Sequence, residues 1–417
     1  MSGNSTVIME CPQCKHINTP RGKGHVLAMT CAKCNRYIKP NSTIWEKFKD
    51  SYAPVLPLGT KGKIKEVTYE VMGFIVRRER RFKYRWREYV LFNPYQGVLY
   101  LSEYEGHWNV LRPNPRHPWL KAVADEEPVT RDGIFKLYSK FKADVVYARG
   151  EFFNDILEGE SAEHFEYINP PYLLTCERDD QRFESFYGKY INGDEIAKGF
   201  GISIHKFPEV KGMGYTQPLI FSFNEKMMVK ITLLFMALAL IILLISNNTA
   251  KDKLVFKNSF DQASLHEQKM FTTSSFHLDG GRKNLVLQVS APISNDWFFA
   301  EYALINEKTE EEMVFTKELE YYSGYESGES WSEGSPYGEA FLSSIPEGDY
   351  HVNIYPEFSG TSHSFDVAIW HDTPYISNFL IFAFLMAVFP TCFYIYKYHK
   401  DKSRWSDSEY SPYDYEE

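Results

Sequence analysis

The feature that most constrains this chain is an apolar run in its middle, at residues 227–246. Between Ile231 and Ile245 it contains no charged residue, and Thr232 is its only polar one. A helix of this length extends about 30 Å, which matches the hydrocarbon core of a bilayer. The alternative is a buried helix of a soluble domain, but such helices rarely lack a polar face for four turns. The run therefore predicts a first transmembrane helix.

A second apolar segment, residues 375–396, contains no charge and predicts a second transmembrane helix. Its Pro390 is compatible with this, because proline is tolerated in membrane helices. Four basic residues follow the segment, whereas the residues just before it include no lysine or arginine: Lys397, Lys400, Lys402 and Arg404. The positive-inside rule places this end in the cytoplasm. We expect two spans of the cytoplasmic (inner) membrane, both termini in the cytoplasm, and residues 247–373 outside.

Charge is distributed unevenly along the chain, whose net charge is −9. Residues 1–250 carry 34 basic and 28 acidic side chains, and residues 251–373 carry 8 basic and 21 acidic ones. A mildly basic cytoplasmic half and an acidic outer half suit a protein that faces the anionic headgroups of the inner leaflet. We therefore expect the lipid bilayer, and in particular its anionic inner leaflet, to be a partner of the cytoplasmic part.

Four cysteines near the N-terminus have the spacing C-x2-C-x16-C-x2-C: Cys11, Cys14, Cys31 and Cys34. Two residues between thiolates allow each pair to offer both sulfurs to one tetrahedral ion, as in a zinc ribbon. A disulfide or a redox couple is disfavoured by the expected cytoplasmic location and by the paired repetition. We predict a zinc ribbon over residues 1–40 that holds one structural Zn²⁺. Four protein ligands would leave no open position for catalysis.

After a linker at residues 41–53, short β-rich runs alternate with turn signals over residues 54–116, which predicts a small antiparallel β domain. Within it, residues 81–87 alternate aromatic and basic side chains. A strand there would bury the aromatic residues together with Glu88, which would then need a cationic or hydrogen-bonding partner. The opposite face would carry four cations that form either a solvated surface or a site for anionic headgroups: Arg81, Lys83, Arg85 and Arg87.

The first β-rich region resembles a bacterial family called domain of unknown function 4178. The resemblance rests on five short motifs in order: Leu58-Gly59-Thr60, Gly73-Phe74, Trp86-Arg87-Glu88-Tyr89, Leu91-Phe92-Asn93-Pro94 and Gly106-His107-Trp108. The family has no settled activity. Some relatives resemble parts of membrane-stress gene neighbourhoods, beside membrane-repair proteins or polyamine-synthesis enzymes. The resemblance implies accessory or scaffolding work near a membrane and supplies no reaction. Apart from the resemblance, a homo-oligomer is among the assemblies that we expect of this chain.

A second β-rich region at residues 133–222, after a linker at residues 117–132, resembles the companion half found in many members of this family. Its matching residues are more scattered: Gly150-Glu151-Phe152, Tyr167, Pro170-Pro171, Glu177, Gly188-Lys189-Tyr190 and Phe200. We interpret it as a second copy of the first region.

The segment between the two apolar runs, residues 247–373, contains six strand-like stretches and no cysteine. That number of short strands predicts a β-sandwich. Residues 323–336 read as a loop rich in glycine and serine, in which Tyr325 and Trp331 could contact a sugar or a protein. The C-terminal residues 397–417 are acidic at their end and short of aliphatic side chains, so we expect a disordered tail.

The sequence contains no phosphate-binding loop, no dinucleotide fingerprint, no HExxH and no GxSxG. We therefore expect no enzymatic activity. The fold class predicted is a multidomain membrane protein with mainly β soluble domains and two transmembrane α-helices. The leading hypothesis is a membrane adaptor or sensor with protein partners. The alternatives are a membrane-localised ribbon that binds nucleic acid or protein, and an enzyme of unrecognised type in the β domains.

Overall fold

A computed structural model describes residues 8–40, 48, 50–114, 127–179, 183–264, 269–326, 328–359 and 364–414. These residues form several antiparallel sheets and three α-helices, two of them long and apolar, which confirms the predicted fold class. The chain divides into two compact units. The first contains Met1–Ser222 together with Cys392–Glu417, and the second contains Phe223–Thr391.

The first unit is built from sixteen strands and one short helix among its described residues. They are β1 (Met9–Glu10), β2 (Ile17–Asn18), β3 (Ala28–Thr30), β4 (Tyr37–Ile38), β5 (Lys61–Ile64), β6 (Val67–Glu79), β7 (Arg85–Asn93), β8 (Gly97–Tyr104), β9 (His107–Pro113), β10 (Val129–Thr130), β11 (Gly133–Ile134), β12 (Lys136–Phe141), β13 (Ala143–Phe152), β14 (Glu163–Asn169), β15 (Tyr172–Arg178), β16 (Phe183–Ile191) and α1 (Gly193–Phe200).

The main sheet closes on itself and forms a barrel. Its strand order runs β12-β14-β15-β16-β9-β8-β7-β6-β13, and only Lys142 separates β12 from β13. The two therefore form one bent strand that pairs with β14 in its first half and with β6 in its second. Counting it once gives eight strands, a number whose interior is filled by side chains or holds one small ligand.

The two predicted β domains are thus the two halves of one barrel rather than separate domains. Strands β6 to β9 form one antiparallel meander, and β12/β13 to β16 form the other. The halves join where β9 pairs with β16 and where β6 pairs with β13. These long-range pairings are invisible to local sequence patterns. That the second half is a copy of the first stays a prediction.

Alternate residues of the barrel strands face two different environments. On β7, Tyr89 and Leu91 are fully buried in an outer core that α1 covers through Ile196. Trp86 and Glu88, one position out of phase, point to the barrel interior instead. The strands are therefore covered on their outer face over much of their length, while their inner face encloses a lined space.

The cysteine-rich segment is joined to the barrel rather than forming a separate domain. Strand β3 pairs with β13, so β3 and β4 extend the main sheet. The buried Glu151 carboxylate accepts hydrogen bonds from the backbone N–H groups of Arg21, at 3.0 Å, and Gly22, at 2.9 Å. A sheet edge left open by β13 is thereby covered.

The predicted strand over residues 81–87 is wrong for its first part, which is a turn. Strand β6 ends at Glu79 and β7 begins at Arg85. The buried Glu79 carboxylate accepts hydrogen bonds from the backbone N–H groups of Arg81, Phe82 and Lys83, which closes the turn. Lys83 adopts a left-handed conformation at φ 64°, and Phe82 is 60% exposed. Glu79, an acidic residue beside several basic ones, therefore stabilises the turn between β6 and β7.

Helices α2 (Glu225–Thr249) and α3 (Ser377–Arg404) are the two long apolar helices, and each is long and apolar enough to cross a membrane. Asn224 caps α2, since its side chain accepts a hydrogen bond from the backbone N–H of Met227 at 3.1 Å. At about 1.5 Å per residue, α2 extends about 37 Å. No side chain of α2 is buried, as expected for a helix whose apolar surface requires a non-aqueous surrounding.

The C-terminal segment is ordered where it is described, in contrast to the disordered tail expected. Residues 397–404 continue α3, and Trp405 is 4% exposed in the first unit. Tyr138 of β12 donates a hydrogen bond to the carbonyl of Arg404 at 3.2 Å, and Ser408 donates one to the carbonyl of Tyr138 at 2.5 Å. The acidic composition predicted disorder, but burial of the Trp405 ring and the two hydrogen bonds with Tyr138 hold the segment on the barrel. Residues 415–417 lie outside the described part of the chain.

The second unit contains a β-sandwich. Its described strands are β17 (Lys253–Asp261), β18 (Phe271–Thr272), β19 (Phe276–Leu278), β20 (Lys283–Ser290), β21 (Asp296–Asn306), β22 (Glu312–Glu326), β23 (Glu329–Ser335), β24 (Tyr337–Ile345), β25 (Gly348–Phe358) and β26 (Ser364–His371). Four form the sheet β17-β26-β20-β24, and the others form a six-stranded sheet around β25 and β21.

The two sheets of the sandwich share one core, and each of the six strands predicted from sequence has a counterpart. Val289 and Ile369 of one sheet pack with Phe298 and Ile354 of the other. The predicted loop over residues 323–336 is instead the hairpin β22–β23, in which Gly324 pairs with Trp331. Glycine fits there because a β-carbon at position 324 would lie 2.7 Å from the Trp331 ring.

Candidate functional site

The four cysteines of the N-terminal motif come together in one cluster. All four Sγ atoms lie within 4.8 Å of one another, and the Sγ–Sγ distances Cys11–Cys34 and Cys14–Cys31 are both 3.6 Å. A tetrahedral ion with metal–sulfur bonds of about 2.3 Å needs sulfurs somewhat less than 4 Å apart. The spacing of the thiols therefore suits one metal ion with four sulfur ligands.

Two turns of the same geometry position these thiols. After Cys11, the carbonyl of that residue accepts from the N–H of Lys15 at 2.9 Å; after Cys31, the same bond comes from Asn35 at 2.9 Å. Lys15 and Asn35 occupy the same place in each turn, and both have positive φ, 59° and 56°. The C-x2-C spacing thus folds twice into one knuckle, which aims its two sulfurs at a common point.

A buried amide ties the two knuckles together. Asn18 accepts a hydrogen bond from the N–H of Ala32 at 2.9 Å and donates to the carbonyl of Met9 at 3.1 Å, and its amide nitrogen lies 3.7 Å from the Cys31 sulfur. Burial opposes ionisation of the Cys31 thiol, but the N–H groups of Cys34 and Lys33 overcome it and lower its pKa to about 7. This environment favours a thiolate, the form that binds metal.

Without a cation the four thiols cannot all ionise. Burial and its three sulfur neighbours raise the pKa of the Cys34 thiol to about 12, in contrast to Cys31. A divalent cation at the centre would offset the repulsion between adjacent thiolates. The residues therefore fit a metal ion. The remaining two cysteines lie elsewhere: Cys176 is buried in an apolar cluster and Cys392 is exposed on α3.

The barrel interior contains a buried ion pair. Arg77 of β6 is 4% exposed and donates from Nε to the Glu88 carboxylate of β7 at 3.1 Å. Trp86 donates from Nε1 to the other Glu88 oxygen at 2.7 Å. Burial opposes the charge of Arg77, but Glu88 and then Glu177 outweigh it and raise its pKa. The cationic partner that Glu88 requires is thus Arg77, which lies on β6, outside the predicted basic cluster.

A cavity of about 640 Å³ opens at one end of the barrel. Its lining includes seven aromatic side chains, four carboxylates and four serines. They come from the β6–β7 and β8–β9 turns, from strands β7, β8, β12 and β14, from the segment after α1 and from the C-terminal segment: Phe82, Tyr84, Trp86, Tyr104, Tyr138, Phe141, Tyr215, Glu105, Glu166, Asp407, Glu409, Ser102, Ser139, Ser406 and Ser408. Deeper in the barrel, a smaller space of about 60 Å³ shares Trp86, Phe141 and Glu166 with it. The volume of the larger cavity, about 640 Å³, is in the range of small-molecule sites.

Glu166 is the carboxylate at the inner end of this cavity. Its Oε2 accepts a hydrogen bond from the Ser139 hydroxyl at 2.8 Å. Burial raises the pKa of Glu166 to about 7, against the effect of that hydrogen bond, and Glu88 raises it further. A carboxyl group with this pKa changes its charge near neutral pH. Perturbed carboxyl groups in clefts are candidates for functional sites.

The C-terminal segment forms one wall of the cavity and is anchored by Arg404. The Arg404 guanidinium donates to the carbonyls of Gln217, at 2.6 Å, Tyr215, at 3.0 Å, and Gly214, at 3.3 Å. Trp405 packs on the Tyr138 ring with 5.4 Å between centroids. The residues that directly follow α3 are therefore part of the barrel's binding space.

The four basic residues predicted to bind anionic surfaces do not form one strand face. Arg81 pairs with Glu409 of the C-terminal segment, and Arg87 lies 2.6 Å from the buried carboxylate of Glu103. Arg85 is 3.9 Å from Asp50, and Lys83 is exposed in the turn. Three of the four thus have an acidic neighbour. Binding to anionic lipid stays a prediction.

The sandwich has a concave patch on its six-stranded sheet. A space of about 500 Å³ is lined by three aromatic residues and three glutamates on β21, β22 and β25: Trp297, Phe299, Tyr322, Glu318, Glu320 and Glu357. The exposed Tyr325 and Trp331 identified from sequence are outside this lining, on the hairpin β22–β23. Sequence reasoning therefore found the exposed aromatics of the hairpin and missed those on the sheet face.

Sequence reasoning found the cysteine cluster and missed the barrel cavity. The cysteines are brought together by spacing within one short segment, which a sequence shows directly. The cavity combines residues as distant as Tyr84 and Asp407, which closure of the barrel and docking of the C-terminal segment bring together. The one available signal was the phase of Trp86 and Glu88, which placed an aromatic and an acid on one strand face.

Comparisons with known proteins locate the family resemblance on the barrel. No curated protein matches the chain. A structure described as "Structural basis for the promiscuous specificity of the carbohydrate-binding modules from the beta-sandwich super family" has 9% identity and a TM-score of 0.13, with 63% of this chain and 91% of that chain covered. The structure of infectious bursal disease virus, Gx strain, has 8% identity and a TM-score of 0.14, with 83% of this chain and 66% of that chain covered. At these TM-scores neither informs fold or function.

The family described as domain of unknown function (DUF4178) matches residues 57–193. The match begins before β5 and ends after β16, so it covers the strands of both barrel halves as one domain. The resemblance inferred from sequence is therefore confirmed for this part, because the residues that match the DUF4178 model are those that form the closed antiparallel barrel.

Proposed function

We propose that this protein is a non-enzymatic integral membrane adaptor or sensor. Helices α2 and α3 cross the cytoplasmic membrane, so the barrel with both chain termini lies in the cytoplasm and the sandwich lies outside. The observation that carries the proposal is the position of the C-terminal segment. Residues directly after α3 form a wall of the barrel cavity and are held there by Arg404.

The contacts of this segment support a mechanical link between a membrane helix and a binding space. Helix α3 is continuous from Ser377 to Arg404. The side chain of Arg404 donates hydrogen bonds to three carbonyls of the segment after α1. A movement of α3 along its axis would pull on Trp405 and on the cavity wall. Conversely, an occupant of the cavity would change the seating of the segment. Coupling of this kind requires two arrangements of the segment with different affinities.

The metal in this proposal is a structural Zn²⁺ bound by Cys11, Cys14, Cys31 and Cys34. Four sulfur ligands saturate a tetrahedral zinc ion, so the ion stabilises the fold and supplies no open position for chemistry. Its place is beside β3, which pairs with barrel strand β13. We infer that the ion fixes the edge of the barrel sheet. A role in envelope or membrane stress follows from the family resemblance only and is part of the proposal.

A ribbon that binds nucleic acid receives less support from the contacts. Phosphate binding uses exposed lysine and arginine side chains that are free to exchange counterions. Arg81 and Arg87 pair with Glu409 and Glu103, and Arg21 pairs with Glu151 and Glu70. Protein partners suit the proposed adaptor better.

The topology is tested by cysteine labelling in intact cells with a membrane-impermeant maleimide. The background chain carries Cys392→Ser, which removes the exposed native thiol. Ser330→Cys on the sandwich hairpin and Gln96→Cys in the β7–β8 turn are then compared, because both positions are exposed. We expect labelling at position 330 only, and at both positions once the cells are permeabilised. Labelling of both in intact cells would refute the arrangement.

The adaptor role is tested by crosslinked co-purification from native membranes. Envelope or membrane proteins among the captured partners would support it. Nucleic acid would favour the ribbon hypothesis, and a set of metabolic enzymes would favour an unrecognised activity. The same co-purification is then repeated with Arg404→Ala and with the control Ser403→Ala, at an exposed position. Loss of a partner in Arg404→Ala alone would show that its binding depends on the docked C-terminal segment.

A further inference from the structure

The barrel cavity has an unusual chemical lining for a small-molecule site. Of the described residues that line it, four are carboxylates and none is basic. Seven of the others are aromatic. Such a lining disfavours anions, because its charged side chains are all acidic. Ring faces and carboxylates together attract positive charge.

The aromatic side chains form a box rather than a scattered set. The Tyr84 ring lies 6.1 Å from Trp86, 5.7 Å from Tyr104 and 6.3 Å from Phe141, and the last two contacts are edge-to-face. Trp86 and Phe141 also meet edge-to-face at 5.5 Å. Rings tilted to one another in this way present faces from several directions. That arrangement is typical of sites that hold quaternary or alkylated ammonium groups.

Glu166 supplies the charge at the inner end of the box. Its carboxyl group is close enough to Tyr84, Tyr138 and Tyr215 that, after burial, it contributes to raising the pKa of their hydroxyls. Asp407, in the C-terminal segment, likewise contributes to raising the pKa of the Tyr104 and Tyr138 hydroxyls. Arg81 pairs with the lining carboxylate Glu409 and offsets its charge, which leaves three other lining carboxylates, and Arg404 binds backbone carbonyls.

We propose that this cavity binds an organic ammonium ion, held between the aromatic box of Tyr84, Trp86, Tyr104 and Phe141 and the carboxylates of Glu166 and Asp407. The inference rests on the proposed sensor function and names its ligand class. Because Asp407 belongs to the segment that follows α3, the bound cation would bridge the barrel and that segment. Occupancy then favours the docked segment, which is the coupling that the sensor requires.

The test measures binding to the full chain, purified in detergent with its metal, by calorimetry. The probes are choline and butylammonium, and the controls are their uncharged isosteres 3,3-dimethylbutan-1-ol and butan-1-ol. We expect at least one cation to bind about tenfold or more tightly than its isostere. Equal affinity of both pairs, or no binding by either cation, overturns the proposal.

Variants locate the binding. Glu166→Gln and Tyr104→Leu should each weaken the cation by about tenfold or more, whereas Glu66→Gln and Tyr95→Leu, at exposed turns away from the cavity, should leave its affinity unchanged. Metal content and thermal midpoint verify that each variant is folded. Wild-type affinity in both folded cavity variants contradicts the assignment.

The outcomes separate this inference from the function on which it rests. Failure of cation binding in a protein with the labelling pattern expected above removes the ligand class and leaves the adaptor. Labelling on both sides of the membrane removes the adaptor whether or not the cations bind.

Discussion

Arg404, the last residue of α3, donates a hydrogen bond to the carbonyl of Gln217, near the end of the first unit's N-terminal part, at 2.6 Å. Two further carbonyls, of Gly214 and Tyr215, accept from the same nitrogen. The Arg404 side chain thus binds the C-terminal segment to the part of the first unit that precedes both apolar helices and the sandwich in sequence. This contact is the structural basis of the proposed link between membrane and cavity.

Replacing Arg404 should release the C-terminal segment. Arg404→Ala leaves three carbonyls without their donor in a buried place, at a cost of about 1–3 kcal/mol. We expect faster hydrogen exchange of residues 402–414, measured by mass spectrometry on the detergent-solubilised protein. Ser403→Ala, at an exposed neighbouring position, is the control and should exchange like the wild type. Unchanged protection in Arg404→Ala would show that Trp405 alone seats the segment.

The cysteine cluster should contain one zinc ion per chain. Cys31→Ser removes one of the two fully buried ligands, so we expect metal content to fall from about one equivalent to near zero. Protection of β3 and β4 against hydrogen exchange should fall with it, while insertion in the membrane persists. Cys392→Ser is the control and should keep its metal. A wild-type chain with less than half an equivalent of any metal would contradict the prediction.

Glu166 should make the barrel less stable as pH rises. Its folded pKa of about 7 exceeds its ordinary value of 4.5, so between these two pH values the folded state binds more protons than the unfolded state. Stability from this group is present below about pH 4.5, falls as pH approaches 7 and is lost above it. Glu166→Gln should therefore stabilise the folded state at pH 8 by about 3 kcal/mol, which raises the thermal midpoint there and flattens its pH profile.

The control for this prediction is Glu66→Gln, in an exposed turn, which should leave the pH profile of the thermal midpoint unchanged. A profile for Glu166→Gln that runs parallel to the wild type would place the titrating group elsewhere.

The Arg77–Glu88 pair should show strong coupling. Arg77→Met leaves the Glu88 carboxylate in the barrel without its cation, and loss of one partner of a buried pair costs about 3–5 kcal/mol. The double variant Arg77→Met/Glu88→Gln should be less destabilised than the sum of the single changes, as thermal unfolding in detergent would measure. Arg78→Met, whose partner Asp144 is half-exposed at 3.3 Å, is the milder comparison. Additive effects would show that the pair contributes no coupling.

Binding to anionic lipid needs a test adapted to the structure. Arg87→Ser would leave the buried Glu103 unpaired and confuse lipid binding with unfolding. Lys83→Ser/Arg85→Ser avoids this, because both side chains are exposed. In nanodiscs with anionic lipid, we expect the double change to lower protection of the β6–β7 turn, and raised salt to do the same in the wild type. The exposed pair Lys63→Ser/Lys65→Ser is the control. Equal protection with neutral and anionic lipid would favour a merely solvated surface.

The sequence by itself determined the features that depend on neighbours along the chain. Apolar runs predicted the two long helices, because a span is a property of consecutive residues. The paired C-x2-C spacing predicted the cluster, because each knuckle closes within four residues of its first cysteine. Period-two patterns located the six main strands of the sandwich, whose faces alternate between core and solvent.

Only the tertiary structure decided where those pieces meet. The bent strand β12–β13 closes the barrel by pairing with β14 and β6, and nothing in its local pattern distinguishes that from an ordinary strand. Composition predicted a disordered tail, but burial of Trp405 and the carbonyl contacts of Arg404 order it. The sequence pattern of residues 81–87 predicts a strand, but in the structure the Glu79 carboxylate accepts hydrogen bonds from the backbone N–H groups of its first residues, which form a turn. In each case a contact between residues distant in sequence, or a buried charge, outweighs local propensity, because its free energy exceeds the small preferences that a sequence pattern records.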